Sequence, residues 1–358
     1  MAMEGTDPRS EWSFLGERVL HVSRHVPARD GIARYADQLE AALTAGRRFS
    51  RLGVPGGGGR VVSMWGRLRP LRLLRYARGH DDVLVHYHPS YFLMGGWTSR
   101  LASYSALALV ARVTPATWVI HEPDDELPDP IGRRGKIEYR VEEWLRRRFW
   151  SGARRLVFHT RWELDYFRER FPGRARDERV VTHGAFFTST ASAVSRSEAR
   201  RRLGLPVDRT LLLSIGFLSP HKGVDRVIQA FEEADVDGVD LRVVGHPICD
   251  YPHVLAHVDD LRAQAAATPN VELREEYVSD EDFDIWIRAA DAVIAGYASA
   301  ASSSVVARTH LLGTPLIAST VGGLVEQARN GDLHFASQAE LTAIVRDVAE
   351  RNRAGQAG

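Results

Sequence analysis

The feature that most constrains this chain is a repeated alternation of short apolar runs with amphipathic stretches long enough to be helices. Such alternation builds parallel strands joined by crossover helices, so the expected class is α/β. In a first series, strands are predicted at Arg18–Val22, Arg60–Met64, Val83–Tyr87, Thr117–His121, Arg155–His159 and Arg179–His183. Helical patterns lie between them at Ile32–Ala42, Leu68–Ala77, Thr98–Arg112, Lys136–Trp150 and Arg161–Phe171. A stretch rich in Ser, Thr and Ala, Phe187–Ser197, then breaks the rhythm, and Ser197 reads as the N-cap of a helix Glu198–Leu203 that Gly204-Leu205-Pro206 ends. A second series follows, with strands at Thr210–Gly216, Leu241–Gly245, Val271–Leu273, Ala292–Gly296 and Pro315–Ser319. Its helices fit Val224–Glu233, Val254–Ala267, Glu281–Ala290, Ser304–Leu312, Leu324–Arg329 and Gln338–Arg351. The expected organisation is a domain over 1–186, a linker region over 187–209, a second domain over 210–335, and a terminal helix over 336–358 that packs back toward the first domain. Two doubly wound parallel sheets of this kind face a central cleft from their carboxyl ends.

Composition narrows the chemistry. The 358 residues carry 47 Lys plus Arg against 46 Asp plus Glu, a net charge of +1 that gives no general attraction to nucleic acid. The single cysteine, Cys249, can form neither an internal disulfide nor a paired-cysteine zinc site, so a reducing cytoplasm is the expected home. Met1–Trp12 lacks the apolar segment of a secretory signal, and the most apolar run, Leu101–Val113, is too short to span a bilayer. Arg67, Arg69, Arg72, Arg75 and Arg78 alternate with Leu68, Leu71, Leu73, Leu74 and Tyr76, as an interfacial helix would. The reading preferred to membrane binding is a helix that packs its leucines on the domain core.

Lysine is rare enough to make each one informative: Lys136 and Lys222 are the only two. Lys222 ends the loop Gly216-Phe217-Leu218-Ser219-Pro220-His221-Lys222-Gly223, which leads from a strand into a helix. The order of Lys and Gly is wrong for a nucleotide-triphosphate loop, and no Ser or Thr follows for magnesium. What remains is a point charge at a helix N-terminus, where a phosphate is favoured twice over. The Tyr297–Ser304 segment, with Ser302, Ser303 and Ser304 at another strand-to-helix junction, exposes N–H groups and hydroxyls to an anion. Gly322-Gly323, with Glu326 one turn on, repeats that arrangement. In the first series, predicted strand ends carry His86 and His88, then His121, His159 and His183, where ligands of parallel sheets bind. Their spacing does not suit a metal, and none is expected. Asp30-Gly31 opens the first long helix, either as a simple capping turn or as a glycine that lets backbone approach a ligand.

Together, Asp30-Gly31-Ile32-Ala33-Arg34-Tyr35, Thr182-His183-Gly184, Gly216–Gly223, Leu312–Ser319 and Gly322-Gly323-Leu324-Val325-Glu326 resemble the retaining glycosyltransferases of family 4, from about Arg18 to Gly331. The resemblance implies the two-Rossmann GT-B fold and a metal-independent, cytoplasmic enzyme. Its co-substrate would be a nucleotide-diphosphate sugar, with no other cofactor, and its acceptor a glycan, a lipid-linked group or a small molecule, secondary metabolites included. It implies that His121 is the active-site histidine near the transferred sugar, that Gly31 approaches the donor phosphates and that Lys222 binds the diphosphate. The departing phosphate would take the acceptor's proton, leaving the protein to position groups and stabilise charge. Gly216, Tyr297, Ser302, Ser303, Ser304, Arg308 and Glu326 complete the expected donor side, and Asp30, His88 and His183 the acceptor side. The pattern departs at Phe217, where the family has an Arg, and at Ala300 and Arg308, where it has two glutamates. Arg308 is therefore expected to replace the missing Arg at a phosphate. The departures also define the alternatives: a GT-B module that binds a nucleotide-sugar or a partner without turnover, or a nucleotide-sugar epimerase or phosphorylase.

Overall fold

A computed structural model describes residues 8–24, 31–53, 60–61, 69–93, 96–122, 132–172 and 177–356. They form two compact units, Met3–Phe186 and Phe187–Gly358.

The first unit is a seven-stranded parallel sheet in the order β3-β2-β1-β4-β5-β6-β7. Its strands are β1 (Arg18–Ser23), β2 (Arg48–Gly53), β3 (Arg60–Val61), β4 (Asp82–Tyr87), β5 (Ala116–Ile120), β6 (Arg155–Phe158) and β7 (Asp177–Val180). β1 and β4 to β6 are apolar along most of their length because helices cover both faces. One face is filled by Trp118, Phe149, Trp150, Tyr87 and Phe92, among the largest buried side chains of the chain. β2 did not stand out in the sequence, since Arg48, Ser50 and Arg51 are exposed or half-exposed and only Leu52 and Gly53 are buried. Of the predicted strand Arg60–Met64, only 60–61 lies within the described residues. In the arginine-rich segment, Leu73 is fully buried and Leu71, Leu74 and Tyr76 pack on the same core, so the leucines face the domain interior.

The second unit is a six-stranded parallel sheet in the order β10-β9-β8-β11-β12-β13. It comprises β8 (Thr210–Ile215), β9 (Val239–Gly245), β10 (Val271–Glu275), β11 (Ala292–Ala295), β12 (Leu316–Ser319) and β13 (Leu333–Phe335). The segment read as a linker is structured within this unit. Ser195, two residues before the expected cap, accepts from the Glu198 N–H and starts the helix Arg196–Arg202. Arg200 on that helix is buried, donating to the carbonyls of Ala289, Val207 and Arg209 and to Asp291. The terminal helix Gln338–Gln356, expected to return toward the first domain, buries Leu341, Val345 and Ala349 in the core of the second unit beside Val227 and Phe231. Among the described residues, no helix is long and apolar enough to cross a membrane.

In each sheet the chain reverses its direction of progress beside the first strand of the unit, between β1 and β4 and between β8 and β11. Ligands of open parallel sheets bind outside the carboxyl ends of the strands at such points.

Candidate active site

At the carboxyl end of β8, two backbone contacts hold the lysine loop. Gly216 has a φ of 136°, which disfavours any side chain, and a Cβ on Gly245 at the end of β9 would come within 1.8 Å of the Gly216 carbonyl oxygen. Gly223, in left-handed conformation at φ 59°, lies so close to Gly296 that a Cβ on it would meet the Gly296 oxygen at 2.1 Å. The Ala298 N–H donates to the His221 carbonyl at 2.9 Å, joining this loop to the one that follows β11. Gly223 then serves as N-cap of the helix Val224–Ala234 with no side chain over the helix end. Lys222 stands at that end with Nζ 4.0 Å above the ring of Tyr297, a cation–π contact that fixes the ammonium. Tyr297 is fixed in turn, its hydroxyl 3.1 Å from Ser303 Oγ and its carbonyl accepting from Ser319 Oγ at 2.8 Å.

Ser303 caps the helix Ser304–Leu311, its Oγ accepting from the Val306 N–H, while its own N–H donates to Gln327 Oε1 at 2.6 Å. It is therefore committed to shaping the junction. Ser302 and Ser304 are half-buried beside it, and Glu326 is exposed on the short helix Leu324–Gln327. Phe217, His246 and Tyr277 form an aromatic run beyond β8, β9 and β10, with ring centroids 5.3 and 5.2 Å apart.

Arg308 does not do what its position in the sequence suggests. It is 3% exposed, with Nη1 2.8 Å from both carboxylate oxygens of Asp284 and its guanidinium 5.1 Å from the Phe187 ring centroid. Its charge is answered inside the unit, by a carboxylate that the sequence places 24 residues earlier. Removing Asp284 strands a buried guanidinium, so Asp284→Ala is expected to cost about 3 kcal/mol in denaturant unfolding. A loss well below 1 kcal/mol would show that water reaches the pair.

In the first unit, four of the five singled-out histidines converge. Tyr35, on the helix Gly31–Leu43, is the hub, with ring centroids 5.6, 5.0, 5.1 and 5.3 Å from those of His86, His121, His159 and His183. The Tyr35 hydroxyl lies 2.9 Å from His159 Nε2, and burial, reinforced by Glu163 and Glu11, raises its pKa well above the ordinary value. His121 is held well below the ordinary histidine range by burial, with His86, His183 and His88 adding to the effect. Burial does the same to His159, beside His183 and His121, and lowers His183 to about 3. His121, His159 and His183 are therefore neutral imidazoles at neutral pH.

His21 escaped the sequence reading because it sits inside β1 and not at a strand end. It is fully buried, with Nδ1 2.7 Å from Glu40 Oε2 and Nε2 2.9 Å from His86 Nε2. His86 Nδ1 lies 2.8 Å from His121 Nε2. The available clue was a titratable residue in the middle of a buried parallel strand, which must have a partner. His88 is directed elsewhere: it caps the short helix Pro89–Phe92, and its Nε2 faces Glu122 at 3.3 Å. Gly31 is exposed at the start of its helix, and nothing lies within 4 Å of where a Cβ would be. Asp30 lies outside the described residues. Among the described residues, no group of acidic, His or Cys side chains could hold a metal ion.

Two parallel doubly wound sheets, the second with glycine-bounded loops at its reversal point, define a Rossmann-type protein of the GT-B kind. Residues 195–353 match the family model described as glycosyl transferases group 1. A D-inositol 3-phosphate glycosyltransferase of Streptomyces scabiei is 28% identical over 291 residues, covering 78% of this chain and 59% of the relative. The aligned region thus spans about three-fifths of that relative's length. Among solved structures, the Anabaena protein HepE in complex with UDP-glucose superposes with a TM-score of 0.67 at 17% identity, covering 94% of this chain and 90% of that one. A trehalose-phosphate synthase of Burkholderia xenovorans in complex with glucose-6-phosphate superposes at 0.66 and 13% identity, over 95% and 96%. At such identities these two structures speak for the fold alone.

Proposed function

We propose that this protein is a retaining, metal-independent glycosyltransferase that moves a sugar from a nucleotide diphosphate to a hydroxyl of a glycan, lipid-linked or small-molecule acceptor. The observation that carries the reading is the lysine junction. A single ammonium is fixed over Tyr297 at an uncapped helix N-terminus, between loops that touch backbone to backbone. A fixed cation and free N–H groups stabilise a diphosphate leaving group without reorganisation during the reaction. The half-buried faces of Phe217, His246 and Tyr277 are suited to stacking a nucleobase. His121, with Gly31 opening the helix of the same unit, is assigned to the transferred sugar and its phosphates.

The relatives' names favour a phosphorylated polyol or sugar as acceptor, and the complex with UDP-glucose makes a uridine donor the first to try. The test is a thermal-shift panel of UDP-, GDP- and dTDP-sugars, followed by nucleotide release with sugar-phosphate and polyol-phosphate acceptors. One donor class is expected to raise the melting temperature by mass action and to release its nucleotide only when acceptor is present. Donor binding with no release under any acceptor would favour a binding module, and release that requires inorganic phosphate would favour a phosphorylase.

A further inference from the structure

Three side chains behind His121 form a continuous hydrogen-bonded line, Glu40 to His21 to His86 to His121, with steps of 2.7, 2.9 and 2.8 Å. With His121 they come from four separate parts of the unit: the helix Gly31–Leu43, β1, β4 and the residue after β5. His21 and His86 are completely buried, and the Glu40 side chain is 14% exposed. Packing alone would be met by apolar residues at these positions; a row of imidazoles is costly there unless every nitrogen has a partner.

The direction of the hydrogen bonds follows from the anchor. Arg51 Nε donates to Glu40 Oε1 at 3.0 Å, leaving Oε2 for His21. Burial works against the charged carboxylate, but the bonds from His21 and Arg51 outweigh it and hold Glu40 below its ordinary value. A carboxylate only accepts, so His21 carries its proton on Nδ1. With His21 neutral, its Nε2 accepts from His86 Nε2–H, and His86 accepts at Nδ1 from His121 Nε2–H. The far end is thereby set, with a lone pair at His121 Nδ1. That nitrogen makes no hydrogen bond to any described residue.

We infer that Glu40, His21 and His86 are positioning residues which fix His121 as the Nε2–H tautomer, so that its Nδ1 accepts a hydrogen bond from a hydroxyl of the bound sugar. This rests on the glycosyltransferase reading for the identity of the ligand, but not for the tautomer. A site built this way selects a hydroxyl donor and rejects a group that can only accept at that point.

The test is the imidazole nitrogen spectrum of ¹⁵N-histidine-labelled protein at neutral pH without substrate, with the His121 signals assigned by their loss in His121→Asn. The wild type is expected to show His121 as a single Nε2–H tautomer. Glu40→Gln is the decisive variant. With Arg51 holding the amide oxygen, the NH₂ group faces His21 Nδ1 and donates, reversing every bond in the row and leaving His121 with its proton on Nδ1. A merely structural Glu40 would not produce that switch. Transfer should fall on the order of tenfold in kcat, as when the groups that orient a functional imidazole are lost, and Glu40→Asp should restore part of it. A wild-type His121 that is Nδ1–H or an even mixture overturns the inference without any variant, and so does a folded Glu40→Gln protein whose His121 tautomer is unchanged. The expected tautomers in a protein that transfers no sugar would instead overturn the proposed function and leave the positioning row standing.

Discussion

Lowering the pH from 7 to 5 is expected to remove on the order of a few kcal/mol of stability from the first unit, because three of its imidazoles resist protonation in the folded state. His121 and His159 are held well below the ordinary histidine value of 6.5, and His183 is lowered to about 3. Burial is the largest cause for all three. At pH 5 the unfolded chain binds a proton at each of these histidines and the folded chain does not, so protonation pulls the equilibrium toward the unfolded form. The contribution is complete above the unfolded pKa near 6.5 and is lost progressively as the pH falls toward the folded values. Urea unfolding at pH 7, 6 and 5, followed by near-ultraviolet signals of the first unit's tryptophans Trp118 and Trp150, should show a steep fall in midpoint. A midpoint that stays level across this range would mean that the cluster takes up protons while folded.

Replacing Lys222 by Ala should lower kcat/KM for sugar transfer by roughly 10³-fold, as removal of one preorganised charge-stabilising donor does in other active sites. The effect is large because Lys222 is fixed before the reaction by the Tyr297 ring and adds its charge to a helix N-terminus that no side chain caps. The other lysine supplies the control. Lys136 is exposed on the helix Gly132–Gly152, and Lys136→Ala should leave transfer unchanged. Equal effects of the two substitutions on donor-induced thermal shift and on turnover would remove the lysine junction from the donor site.

The longer strands were legible because burial on both faces makes a parallel strand uniformly apolar, as in Leu211-Leu212-Leu213 of β8. β2 and β13 were not: one is lined with Arg48 and Arg51, and the other has three residues, including His334, at the sheet edge. Ser195 and Ser197 are equally good caps in composition, and only the backbone decides between them. The same limit governs the site. Lys222, Tyr297 and the glycines announce themselves by type and by position after a strand. The pairing of Arg308 with Asp284, and of His21 with Glu40, depends on which helices and strands lie side by side. Spacing along the chain carries no such information.

The glycine contacts of the second unit separate shape from recognition. Gly216 against Gly245 and Gly223 against Gly296 fasten the two ends of the lysine loop by main chain. Phe217 and Pro220, between those fastenings, are half-buried and exposed. A library randomised over Gly216–Gly223 should therefore return glycine at both ends, keep Lys222 and the buried Leu218, and vary at Phe217 and Pro220. Donor preference could then be re-engineered at Phe217 with the loop's path left intact.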